Sequence, residues 1–243
     1  MPSISSTDGT SLYYEETGAG DPVLFIHEFA GNHRTWAAQM DILGKTRRCI
    51  AYSARGYWPS DVPARDDAYS QKIALDDAVA VLDALGIQRA HIVGHSMGAY
   101  TALHLGLNHP DRCVSVAALG CGWGSDPDER ETARILCEDI AAMFREKPIA
   151  ESAAAYARFP MRHTFEAKDP GGFAGFEEIL GGLSPEGAAL TMLNLQRDRP
   201  TLWVLEDKLK NFAAPLLVMV GDEDHPCING SLFLKRTVPT AAL

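Results

Sequence analysis

Gly94-His95-Ser96-Met97-Gly98 is the stretch from which the rest of the chain can be read. Before it, Ala90-His91-Ile92-Val93 is apolar and partly β-branched, the pattern of a buried strand. After it, Ala99 to Leu107 has the composition of a helix with few charges. A serine therefore sits at a strand-to-helix turn, with a glycine two positions away on each side. Such a turn strains the serine backbone and lifts its Oγ clear of the sheet. Glycines suit the flanks because larger side chains collide where strand and helix approach. The string alone is common by chance. With this strand before it and this helix after it, it points to a nucleophile.

Outward from that turn, apolar runs alternate with helical periodicity. The opening reads as a hairpin, Ile4-Ser5-Ser6 and Leu12 to Glu16 about a turn at Asp8-Gly9. Pro22 to His27 is a continuous apolar run, as expected of a strand covered on both faces. A helix over Trp36 to Leu43 and the strand Cys49 to Tyr52 follow. Ser70 is placed to cap a helix whose Leu75, Val79, Leu82 and Leu85 recur at helical spacing before Gly86. Val114 to Leu119 is a further strand. The fold class predicted is α/β, a mostly parallel central sheet with helices on both faces.

From Gly124 to Asn211 the alternation stops and helical segments take over: Glu129 to Phe144, Ile149 to Ala157, Phe173 to Leu180, Pro185 to Leu195 and Thr201 to Leu209. Strand character returns at Pro215 to Val220, and Leu232 to Arg236 reads as a helix. The division expected is a core over 1–123, a helical lid inserted over 124–211, and a second core part over 212–243 that is C-terminally incomplete.

Composition narrows the functional classes. At 243 residues, 46% hydrophobic and 22% charged, the chain can bury a sizeable core. A net charge of −10 without any Lys/Arg cluster gives nucleic-acid binding no electrostatic footing. No window approaches the ~18–20 apolar residues of a membrane span. The start, Met1-Pro2-Ser3-Ile4, lacks the basic and apolar regions of a signal peptide. Five scattered cysteines without C-x-x-C spacing read as buried, reduced thiols, and with the start they favour the cytoplasm. The eight histidines do not cluster at ligand spacing, so neither metal nor cofactor is expected, and the partner is a small-molecule substrate. The oligomeric state is not legible.

Four features, in order, resemble the α/β-hydrolase family in its serine-nucleophile, esterase- and lactonase-like branch. They are His27-Glu28-Phe29-Ala30-Gly31 with Trp36, Arg55-Gly56-Tyr57 with Ser60-Asp61, the turn at Ser96, and Pro215 to Asp224 with its Gly-x-x-Asp end. The resemblance implies Ser96 as nucleophile, Asp224 as the triad acid ahead of Asp222 and Glu223, and the backbone N–H groups of Phe29 and Met97 as oxyanion donors. His27, Trp123 and Met161 are candidates to contact substrate. Serine rather than aspartate at the turn argues against the branches that use a carboxylate nucleophile. A small, mainly apolar ester or lactone is the substrate expected; carbon–carbon bond hydrolysis, cofactor-free haloperoxidase-like chemistry and a catalytically inactive binding protein are the alternatives.

Two departures stand out. Glu28 replaces the family's usual glycine, and the expectation is that it turns away into a salt bridge with Arg55. The family's histidine follows the acid after one further strand, whereas the only histidine after Asp224 is the adjacent His225. The expectation is that this strand begins near Thr240 to Leu243 and that the catalytic histidine lies outside the sequence. His95, next to the serine, is expected to diverge from it.

Overall fold

The computed structural model describes residues 1–243, with the side chain of Met161 excepted. Its sheet is organised by apolar runs. In β3 (Pro22–Ile26) every residue from Val23 onward is buried, because both faces are covered. Val23 and Phe25 pack with Trp36 and Met40 on one face. Leu24 and Ile26 join Leu82, Ile92 and Leu103 on the other. Alternation along a strand produces this division.

The remaining strands are β1 (Ser3–Ser5), β2 (Ser11–Thr17), β4 (Arg48–Tyr52), β5 (Ala90–His95), β6 (Cys113–Leu119), β7 (Leu216–Met219) and β8 (Ala241–Ala242). They form one eight-stranded sheet in the order β1-β2-β4-β3-β5-β6-β7-β8. β1 and β2 make the opening hairpin, and β2 runs antiparallel to β4. From β4 to β8 every pairing is parallel. The short β8 forms where the sequence predicts a last strand to begin.

Helix α1 (Ala37–Leu43) covers one face through Met40; α2 (Gln71–Ala84) and α3 (Met97–Asn108) cover the other. Ser70 caps α2 as expected, its Oγ accepting from the Ile73 N–H at 3.1 Å. Behind β4, Arg55 is locked in place. Its guanidinium makes a two-pronged bond to Asp77, both arms 2.7 Å, and donates to Asp8 at 2.7 Å.

Between β6 and β7 the chain is helical: α4 (Arg130–Glu146), α5 (Ile149–Ala157), α6 (His163–Lys168), α7 (Pro170–Gly181), α8 (Pro185–Leu190) and α9 (Glu206–Leu209). Apart from shifts of one to three residues at the ends of α4 and α7, these bounds differ from the sequence expectation in three places. The predicted helix over Pro185 to Leu195 stops at Leu190 and widens into a π-helical turn, Thr191–Gln196. Thr201 to Leu209 keeps only its last four residues as helix, and α6 is new. The segment has its own core around Ile140, Phe144, Tyr156 and Leu180, and that core extends down to Phe29, Ala30 and Met97 beside the sheet. Helix α10 (His225–Thr237) follows β7 and begins seven residues earlier than the predicted Leu232. No helix of the described residues is long and apolar enough to cross a membrane.

Candidate active site

Ser96 stands between β5 and α3 at φ +51°, in the left-handed region that residues other than glycine rarely occupy. The geometry explains the flanking glycines. A Cβ on Gly94 would strike the carbonyl of Gly98, and one on Gly98 would strike that of Ile26. The Ser96 side chain does not cap the helix it precedes, so its hydroxyl is left for the cavity that it lines. Met97 is the first residue of α3, and its N–H is among the donors a helix leaves without an internal acceptor.

The loop after β3 brings the second amide. His27 is fully buried, its Nε2 accepting from the Ala54 N–H at 2.9 Å. That fixes the proton on Nδ1, which donates to the Glu28 carbonyl at 2.7 Å. The Gly31 N–H reaches the same carbonyl at 3.1 Å, and Ala30 takes φ +69° to complete the turn. The Phe29 N–H donates to no backbone carbonyl among the described residues. Ala30 and Ser96 are the two described non-glycine residues with positive φ, and they lie in the two loops of this site. His27 thus shapes the loop from behind; it is not on the cavity wall.

Glu28 does not reach Arg55. Arg55 is already saturated by Asp77 and Asp8, so the expected salt bridge is corrected. Glu28 faces the cavity instead, where its Oε2 lies 3.4 Å from His95 Nδ1 and its Oε1 accepts from Thr35 Oγ1 at 3.3 Å. Burial opposes charge on His95, yet the Glu28 carboxylate, with Asp224 further off, outweighs it and raises the His95 pKa. Burial likewise pushes the Glu28 carboxyl upward, and His95 more than reverses this, holding it below its ordinary value. His95 and Ser96 both border the same cavity, and among the described residues no hydrogen bond joins their side chains.

That cavity measures about 950 Å³, and residues of α4 to α7, among them Leu136, Ile140, Tyr156 and Phe176, contribute to its lining. Trp123, Phe29, Tyr156, Phe159 and Phe176 give it an aromatic wall. Asp222, Glu223 and Asp224 all border it, so lining alone does not choose among them. Asp224 is set apart by position: a Cβ on Gly120 would lie 3.2 Å from its Oδ2 and 3.4 Å from His95 Nε2. Glu223 is drawn toward Lys168 at 3.3 Å. Among the eight histidines, His95 alone borders the cavity; His163 and His225 are exposed. Met161 lies outside what is described for side chains. Sequence reasoning missed Gln196 and Arg162, both on the cavity wall, because nothing local in a helical segment marks which residues face the sheet.

The family model described as the alpha/beta hydrolase fold matches residues 21–231. The chain belongs to the α/β-hydrolase family. Within this family it is 40% identical over 115 residues to an epoxide hydrolase of Caballeronia sordidicola, a match covering 47% of this chain and 35% of that protein. It is 35% identical over 153 residues to the 2-hydroxymuconate semialdehyde hydrolase of Pseudomonas sp. strain CF600, covering 56% of this chain and 53% of that one. These matches thus span about half or less of the relatives' own lengths. Among solved α/β-hydrolases, a thermophilic esterase from Thermogutta terrifontis superposes with a TM-score of 0.82 at 25% identity, over 99% of this chain and 87% of that one.

Proposed function

We propose that the chain carries the nucleophile, acid and oxyanion donors of a serine hydrolase acting on a small, mainly apolar carboxylic ester or lactone. The observation that carries this reading is Ser96: a strained serine at a strand-to-helix turn, uncapped, lining an aromatic-walled cavity. In this reading segment 124–211 acts as a lid over a core composed of 1–123 and 212–243.

Ser96 Oγ attacks the carbonyl carbon, and the developing oxyanion meets the N–H groups of Phe29 and Met97. The N-terminus of α3 adds a favourable dipole at Met97. Glu28 does not stand beside that charge as a bare carboxylate: its Oε2 lies 3.4 Å from His95 Nδ1 and its Oε1 accepts from Thr35 Oγ1. Asp224 orients the histidine that takes the serine proton; the family order puts this histidine after the acid, and the reading keeps that order. Collapse expels the alcohol, or opens the lactone ring, and leaves an acyl-serine for water to hydrolyse. Trp123 and the neighbouring aromatic rings would hold the apolar part of the substrate. Serine at the turn supports an acyl-enzyme over the carboxylate-nucleophile chemistry of epoxide hydrolases.

Incubation with a fluorophosphonate followed by peptide mass mapping tests this. One adduct on the peptide holding Ser96, absent from Ser96→Ala, is expected. A folded, full-length protein carrying the family's histidine after Asp224 that takes up no label would overturn the reading in favour of a small-molecule-binding protein.

A further inference from the structure

One buried cation beside the cavity has no part in that chemistry. Arg199 is 3% exposed and pairs with no carboxylate among the described residues. Its charge rests on the face of Tyr100, 3.7 Å from the ring centroid, and on the Trp123 carbonyl, which accepts from Nη2 at 2.7 Å. The third partner is the side-chain oxygen of Gln196, which accepts from Nη1. A second guanidinium lies close by: Arg130 donates to the carbonyls of Arg197 and Arg199 at 2.6 and 2.9 Å, again without a carboxylate.

This arrangement determines how Gln196 presents itself. A guanidinium has only donors, so the amide must offer it Oε1, which sends the two Nε2 hydrogens the other way. Gln196 is 3% exposed, ends the π-helical turn and borders the cavity together with Met192, four residues earlier. Its amide N–H groups meet no acceptor among the described residues. A hydrogen bond from a buried cation polarises the amide that receives it, strengthening its free donors. The result is an oriented neutral donor on the wall of a cavity that also carries aromatic rings, and π-turns of this kind recur at functional sites.

We propose that Gln196 is a specificity-determining residue. Its amide, held by Arg199, receives a substrate oxygen other than the scissile carbonyl, so the favoured ligand carries a second, neutral carbonyl on its apolar part. A carboxylate in that place would share the cavity with Glu28 and the run Asp222 to Asp224, while of the cations on the same wall Arg34 and Lys168 are paired with Glu178 and Glu223 and Arg162 lies over the Tyr156 and Phe176 rings. The first carbonyl's place at Ser96 rests on the hydrolase reading; the contact with Gln196 does not need turnover.

Calorimetric titration of the unmodified protein with nonane-2,8-dione, nonan-2-one and 8-oxononanoate tests this. The dione should bind about 10-fold more tightly than the monoketone, the scale of one net hydrogen bond. Gln196→Met, similar in length and without a donor, should erase that gap while leaving nonan-2-one affinity within about 2-fold. Gln196→Glu keeps the contact with Arg199 but turns an acceptor into the cavity, and should reverse the preference. No dione preference in the unmodified protein, a preference that survives in Gln196→Met, or tighter binding of the carboxylate than of the dione would each overturn the proposal. Labelling of Ser96 by the fluorophosphonate is read separately. Its failure with dione selectivity intact refutes the hydrolase reading and leaves the Gln196 contact standing.

Discussion

The sheet core and the core beneath the inserted helices differ in what they enclose. None of the buried residues of the sheet core borders the cavity, whereas Phe29, Ile140, Tyr156 and Met192 of the helical core do. The sheet sets where Ser96 stands through strand register; residues of the helical core line the cavity it borders. On the proposed function, stability and ligand recognition are thereby separated in space, and substitutions should separate them in experiment.

Asp77→Ala gives the largest expected effect. It leaves the Arg55 guanidinium, 5% exposed, without its two-pronged partner on the sheet side. Chemical denaturation should show a loss of about 3–5 kcal/mol. The protein that remains folded should still label at Ser96.

A matched pair comes next. Ile92→Ala in the sheet core and Ile140→Ala in the helical core each remove the same atoms from buried sites, 0% and 3% exposed, and each should cost about 2–5 kcal/mol. Only Ile140→Ala should alter the affinity for nonan-2-one. Equal changes in affinity from both would break the comparison. Ser70→Ala, which removes the cap of α2 far from the cavity, should cost about 1 kcal/mol and leave ligand binding alone.

The smallest effect lies at the seam between the two cores, where Glu28 meets His95. A raised His95 pKa in the folded chain means a stabilising term fully present below the ordinary histidine pKa and lost as pH rises through the raised value. In Glu28→Gln the His95 pKa, followed by NMR of the ring, should fall and the pH-dependent term should shrink. An unchanged titration would show that Glu28 does not hold the ring.

The sheet was legible because its signals are local. Val23 to Ile26 is apolar throughout, Ser70 is a capping residue in place, and Gly94 and Gly98 sit where a Cβ would collide with backbone. Ile149 to Ala157 likewise carries its own helical boundary, and the structure keeps it unchanged. Apart from local helix ends such as that of α10, the misreadings involve partners distant in sequence. Arg55 is taken by Asp77 and Asp8, 22 and 47 positions away, which left Glu28 for His95. Gln196 acquires a direction only through Arg199, which in turn is anchored to the Trp123 carbonyl 76 positions away. The π-helical turn is invisible for the same reason, since Thr191 to Gln196 has ordinary helical composition and only packing against the cavity distinguishes it.

The thiols give the molecule a chemical quietness. All five cysteines are free and buried. Burial pushes Cys137 up to about 11 and Cys113 and Cys121 up to about 12, and it raises Cys49 and Cys227 as well. At neutral pH they stay protonated and poorly nucleophilic, Cys227 included, although it borders the cavity. An electrophile added to the native protein thus has one strained hydroxyl to find and no thiolate to compete with it. On the proposed function, a single mass increment on intact protein would count reactive Ser96 sites directly, without a substrate.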